Sequence, residues 1–193
     1  MARWEPAARE RLQKAALELF VANGFDETTV ADIAAAVGLT ERTFYRYFTD
    51  KREVLFGGQQ EFRQGFIDGV TAAAPDARPL DIVAASVAGV CRASHVFNEE
   101  RRPYSRLRQK VIAAHPELQE RELLKMASLA GVLAAALRER GVTEPAASLA
   151  AESGVTVFRL SFEHWIADGS VETLSEIESA MFEVLRELPG GPQ

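Results

Sequence analysis

The chain has 193 residues, 47% of them apolar and 26% charged, with a formal net charge of −6. This composition supports a packed core and excludes a disordered chain. The acidic balance argues against coating nucleic acid or an anionic membrane by bulk charge, though not against a local basic patch. The lone Cys91 excludes an intrachain disulfide and a thiolate metal cluster. Met1 to Glu10 lacks the apolar segment of a signal peptide, and the richest apolar run, Met126 to Leu137, is too short to span a bilayer. A soluble cytoplasmic protein is expected.

Helical periodicity dominates from the start. Leu12, Ala15, Ala16, Leu19 and Phe20 form one stripe of an amphipathic helix that ends near Asn23-Gly24. Thr29 to Asp32 reads as a capping box opening a second helix with Val30, Ile33, Ala34 and Val37 on its apolar face, broken by Gly38. Thr40 caps a third short helix, Glu41 to Phe48. Asp50, with Glu53 three residues on, opens a fourth expected to run to about Val70. After a loop from Thr71 to Pro79, helices are expected over Asp81–Phe97, Pro103–Ala114, Pro116–Arg140, Thr143–Ala167 and Val171–Leu188. Gly154 to Phe162 has strand propensity but no visible partner strand, so it is read as helix.

The informative stretch is residues 29 to 48. A helix-turn-helix needs a small residue where its two helices cross, which Ala34 supplies, and a sharp turn, which Gly38 supplies. Phe44 and Phe48 turn one face of the second helix inward. Glu41, Arg42, Thr43, Tyr45 and Arg46 remain outside, and such side chains hydrogen-bond to phosphates and base edges. From Gly38 to Arg52 there are four basic residues and two acidic ones, so the segment is locally positive. Residues 57 to 193 hold 14 basic and 19 acidic side chains, which is where most of the acidic excess lies.

Residues 9 to 56 resemble the tetracycline-repressor (TetR) family of bacterial transcription regulators. Ala16, Phe20, Gly24, Thr29, Ile33, Ala34, Val37 and Gly38 carry the resemblance, followed by its most diagnostic run, Thr43-Phe44-Tyr45-Arg46-Tyr47-Phe48-Thr49-Asp50-Lys51. The resemblance implies an all-α protein: a three-helix DNA-binding domain over residues 1–56 and a larger helical ligand-binding and dimerisation domain over 57–193. It implies phosphate contacts from Thr29, Thr40, Tyr47 and Lys51. Arg42, Thr43 and Tyr45 would read bases, and Arg46 either bases or phosphates. The partners it implies are a double-stranded DNA operator, a second copy of the chain, and an unidentified small apolar effector.

In the C-terminal part, Phe62, Phe66, Cys91, His95, Tyr104, Leu107, Met126, Phe158, Phe162 and Trp165 are candidates to line an apolar pocket, and the same residue types also fill helical cores. Arg101, Arg102, Arg106 and Arg108 read either as an anion site or as a solvated face. Leu174, Ile177, Met181 and Leu185 are candidates for a homodimer interface. No catalytic constellation, metal site or cofactor motif stands out. The expectation is a non-enzymatic, ligand-released repressor on a palindromic operator. The alternatives are a regulator without a small-molecule switch and, further off, a helical enzyme or carrier.

Overall fold

The computed structural model describes residues 5–93 and 97–188, with only the backbone of residues 5–7 and 93. Among the described residues there are nine α-helices, one 3-10 helix and no strand, and no helix is long and apolar enough to cross a membrane. Gly154 to Phe162 is helical, as its neighbours required.

The chain divides into two compact units. One takes the described residues up to Gln59 together with Leu107–Gln119; the other takes Gln60–Arg106 and the chain from Glu120 onward.

The first unit holds α1 (Glu5–Asn23), α2 (Val30–Ala36), α3 (Glu41–Tyr47) and a 3-10 helix (Arg52–Phe56). Leu12, Ala16 and Phe20 of α1 are buried with Ile33 and Ala34 of α2, Phe44 of α3, and Phe25, Phe48, Leu55 and Phe56. Phe20 and Phe25 meet edge to face at 5.0 Å, and Phe44 and Phe48 meet at a tilt at 5.3 Å. Burying each such ring is worth about 1.5–3 kcal/mol, which is how helices of seven residues hold their shape here. The short elements are helical because the core holds them, since isolated helices of this length are unstable in water.

The expected fourth helix is two elements. Asp50 Oδ1 accepts the Glu53 N–H at 2.9 Å, although the N-cap position of the element that follows is Lys51. The turn that follows is a 3-10 helix that stops at Phe56. Gly58 then takes φ +85°, a conformation that favours glycine, and α4 (Gln59–Ala72) starts afresh.

The second unit contains α4 from Gln60 and α5 (Pro79–Ala93). It also contains the start of α6 (Arg102–Ala113), most of α7 (Pro116–Glu139), α8 (Ala146–Ile166) and α9 (Leu174–Glu187). Its core runs through Phe66, Val83, Val87, Leu133, Ala151, Val155, Phe158, Trp165, Leu174, Ile177 and Phe182. Two glycines bring helices close. A Cβ on Gly154 of α8 would lie 2.0 Å from Val83 Cγ1 of α5, and one on Gly69 of α4 would lie 2.7 Å from the Ser86 backbone of α5. The buried Ser86 hydroxyl is satisfied by donating to the Phe66 carbonyl at 2.7 Å.

Three boundaries differ from expectation. The described part of α5 ends at Ala93, and Phe97 lies in a bend. α8 begins after Pro145 rather than at Thr143, because the residue before a proline is driven out of the α region. α9 begins after Thr173, which forms a capping box with Glu176. Val171, placed on that helix's apolar face by periodicity, precedes it and is 88% exposed.

Candidate nucleic-acid interface

Both short helices of the first unit start on a threonine. Thr29 accepts the Asp32 N–H at 3.1 Å, and the Asp32 carboxylate accepts the Thr29 N–H at 2.9 Å and its hydroxyl at 2.6 Å. These hydrogen bonds from Thr29 hold the Asp32 carboxyl below its usual pKa. The Thr40 hydroxyl accepts the Thr43 N–H at 3.3 Å and lies 3.0 Å from the Thr43 hydroxyl. Between the helices the chain reverses at Gly38, φ +69°, with the Leu39 N–H donating to the Ala34 carbonyl at 2.9 Å. The Arg11 guanidinium of α1 donates to the Val37 carbonyl and so pins the end of α2.

α3 is divided by its faces. Phe44 points into the core, while Arg42, Tyr45 and Arg46 are exposed, Tyr45 by 54%. Thr43 and Tyr47 are half-buried. Arg46 donates to the Tyr47 hydroxyl at 3.0 Å and lies over the Tyr47 ring at 5.1 Å. The result is a short, rigidly seated helix that presents two guanidiniums and a phenol to solvent. Such groups can hydrogen-bond with base edges and phosphates.

Lys51 stands at the start of the 3-10 helix and is engaged within the first unit. Its ammonium donates to the Phe25 carbonyl at 2.6 Å and the Asp26 carbonyl at 3.2 Å, and lies 4.3 Å from the centre of the Phe25 ring. It therefore braces the turn after α1, with one of its three N–H donors left for an anion. The Thr29 hydroxyl is likewise engaged by Asp32.

In the second unit, the residues expected to line a pocket come together as packing. Phe62 contacts Phe66 and Phe158, Phe158 contacts Phe162, and Phe162 contacts Trp165. Phe97, which had not been singled out, touches Phe62, Phe158, Phe162 and Trp165 at 5.7–6.2 Å. Met126 packs against the same core, and Cys91 is buried in it. Burial, reinforced by the Glu178 carboxyl, pushes the Cys91 thiol up to about 12, so it is no reactive thiolate. Tyr104 is half-buried on α6, and Leu107 is exposed. His95 lies outside the described residues.

The expected dimer residues need correction. Leu174 and Ile177 are buried in the core of their own chain, and Met181 and Leu185 pack half-buried at its margin. The exposed apolar residues of α9 are instead Ala180 and Val184, with Leu188 directly after it, and those of α8 are Ala146, Leu149 and Leu160.

Of the four arginines, Arg101 is exposed just before α6, while Arg102, Arg106 and Arg108 of α6 are tied down within the chain. Arg102 is only 5% exposed; it donates to the Ser170 and Glu172 carbonyls and to Glu99, with its guanidinium 5.2 Å from the centre of the Trp165 ring. Arg106 donates to the Ile166 carbonyl at 2.5 Å and the Ala167 carbonyl at 2.7 Å. Within the first unit, Arg108 donates to the Leu55 carbonyl at 2.7 Å. These are anchors for main-chain carbonyls.

Comparison with known proteins agrees with this architecture. Residues 12–56 match the family described as bacterial regulatory proteins, tetR family, and residues 75–189 match the MftR C-terminal domain. The chain is 31% identical over 176 residues to a Mycobacterium tuberculosis protein assigned as the mycofactocin biosynthesis transcriptional regulator MftR, covering 88% of this chain and 85% of that one. Its fold is shared with FadR of Bacillus subtilis, solved with stearoyl-CoA, at a TM-score of 0.63 and 16% identity over 95% of this chain and 99% of that one. FadR of Thermus thermophilus, solved with lauroyl-CoA, aligns at a TM-score of 0.54 and 24% identity over 96% and 95%. The chain belongs to the TetR family of DNA-binding transcriptional regulators, with a C-terminal domain of the MftR type.

Proposed function

We propose that the chain is a cytoplasmic repressor that grips a palindromic operator as a homodimer and lets go when a small, largely apolar effector binds its C-terminal domain. The observation that carries the DNA half of this reading is the exposed face of α3, with Arg42, Tyr45 and Arg46 on a helix whose opposite face is locked by Phe44. In this reading Arg42, Thr43, Tyr45 and Arg46 meet base edges or adjacent phosphates. Tyr47, Thr40, Thr29 and the remaining donor of Lys51 meet the backbone. Residues 1–56 do the reading and 57–193 the sensing.

Dimerisation is needed because two recognition helices must reach half-sites about 34–36 Å apart, or a multiple of that. Leu149, Thr156 and Leu160 share one exposed face of α8 by helical spacing, as do Ala180 and Val184 of α9 with Leu188 directly after it. These two faces are the proposed interface.

For the effector, the aromatic cluster of Phe62, Phe66, Phe97, Phe158, Phe162 and Trp165 supplies an apolar environment. Two proteins of the same fold hold acyl-CoA thioesters, whose acyl chain is the apolar part such a cluster would receive although the CoA moiety is large and anionic, so that class is the first to test beside smaller apolar metabolites. The effector would favour a conformer whose heads no longer match the operator.

Fluorescence anisotropy on DNA flanking the protein's own gene tests the proposal. Saturable binding that weakens steeply with salt, and is abolished by lauroyl- or stearoyl-CoA, is the expected result. Salt-sensitive binding that no acyl-CoA or apolar metabolite relieves would favour a regulator without a small-molecule switch. Failure to retard any such fragment would remove the operator reading.

A further inference from the structure

A groove of about 510 Å³ runs along the surface of the second unit between α5 and α9. Small residues open it: Ala84, Ala85 and Ala88 from α5, Ser175 and Ser179 from α9, with Phe182 as an apolar wall. None of the residues expected to line an apolar pocket borders it.

Glu178 does border it, and Glu178 is anomalous. It is 2% exposed, and its Oε2 is buried without a hydrogen-bond partner. A buried carboxyl oxygen left in that state costs free energy that a donor from a ligand would recover. Arg92 lines the same groove, is exposed, and its charge acts on Glu178 although no ion pair joins them among the described residues. The remaining charged groups are engaged. Asp81 is held by Arg78 at 2.7 Å and by Arg186 at 3.3 Å, and Glu176 is committed to its capping box with Thr173. A bare amine reaching Glu178 would be opposed by the guanidiniums of Arg92 and Arg186. A ligand with an acidic group beside its amine turns that opposition into attraction.

We propose that the α5–α9 groove binds a small zwitterion, its ammonium group on the Glu178 carboxyl and its acidic group on the Arg92 guanidinium. The site is separate from the aromatic cluster, so it stands or falls independently of the effector reading above.

The test uses the full chain and a series of ω-amino acids from glycine to 6-aminohexanoate, with hexylamine and hexanoate as single-charge controls, followed by titration calorimetry. One spacer length should bind saturably, with each control at least about tenfold weaker, as expected for losing one charge-assisted hydrogen bond. Glu178→Gln and Arg92→Gln should each weaken the best zwitterion by about tenfold. Circular dichroism melts would establish that both variants remain folded. The proposal is overturned if no zwitterion binds below about 10 mM. It is equally overturned if hexylamine or hexanoate binds as well as the zwitterion, or if both folded variants keep wild-type affinity.

Discussion

Replacing Glu178 by Gln should leave stability near pH 5 almost unchanged and make the variant increasingly more stable than wild type as pH rises to 8. Burial raises the Glu178 carboxyl from its ordinary 4.5 to about 7, with Arg92 and Arg186 only partly opposing the shift. The folded chain therefore holds this proton more tightly than the unfolded chain does. The stabilisation from that proton is complete below pH 4.5, declines as pH rises, and is gone once pH passes about 7. Between pH 5 and pH 8 the difference between the two titrations amounts to about 2.5 kcal/mol. Gln keeps the shape and has no proton to lose, so the variant should lack this decline. Urea denaturation of both proteins across that range measures it, and subtracting the two curves cancels the contributions the two proteins share. The carboxyls of Asp32, Asp81, Glu144 and Glu176 are held low by hydrogen bonds and act only at more acid pH. Parallel curves for wild type and variant would show that Glu178 does not titrate in a buried site.

Four further outcomes are expected. Arg42→Ala should cost about 1–3 kcal/mol on a specific operator and much less on unrelated DNA, read by anisotropy at fixed salt; equal losses on both would make Arg42 a phosphate contact. Ala180→Glu combined with Val184→Glu should yield folded monomers in sedimentation, whereas Leu174→Ala should lower stability by about 2–5 kcal/mol by opening a cavity. A double variant that still sediments as a dimer would place the interface elsewhere. Gly154→Ala should destabilise the second unit by at least about 1–3 kcal/mol, because the added methyl meets Val83; a melting temperature equal to wild type would mean the helices part without cost.

Much of the DNA-binding end was legible because its signals are local. Thr29 with Asp32, Gly38, and Thr40 act on backbone groups within four residues, and each does what its spacing predicts. Elsewhere periodicity misled. Val171 continues the apolar stripe of α9 in register, yet the Thr173–Glu176 box starts the helix three residues later, at Leu174. Gly57-Gly58 sits inside an otherwise helical pattern and splits it. Apolar residues at helical spacing reveal a face but not what covers it, so Leu174 and Ile177 read as an interface although they are core. The engagement of Arg11, Arg102, Arg106, Arg108 and Lys51 with main-chain carbonyls had no signature at all. A carbonyl is available at every residue, and only the fold decides which one a long cationic side chain reaches.

The close approaches at Gly69–Ser86 and Gly154–Val83 have a mechanical consequence. Each acts as a key that stops one helix sliding along another, because a shift of a single residue would drive a side chain into backbone. α5 is keyed in this way to both α4 and α8, so the three should travel as one block. The boundary between α5 and α9 is instead an open groove floored by alanines and serines. α9 is held there without a key, by burial of Leu174, Ile177 and Phe182 in the shared core, so its register along α5 rests on apolar packing rather than on a stop against backbone.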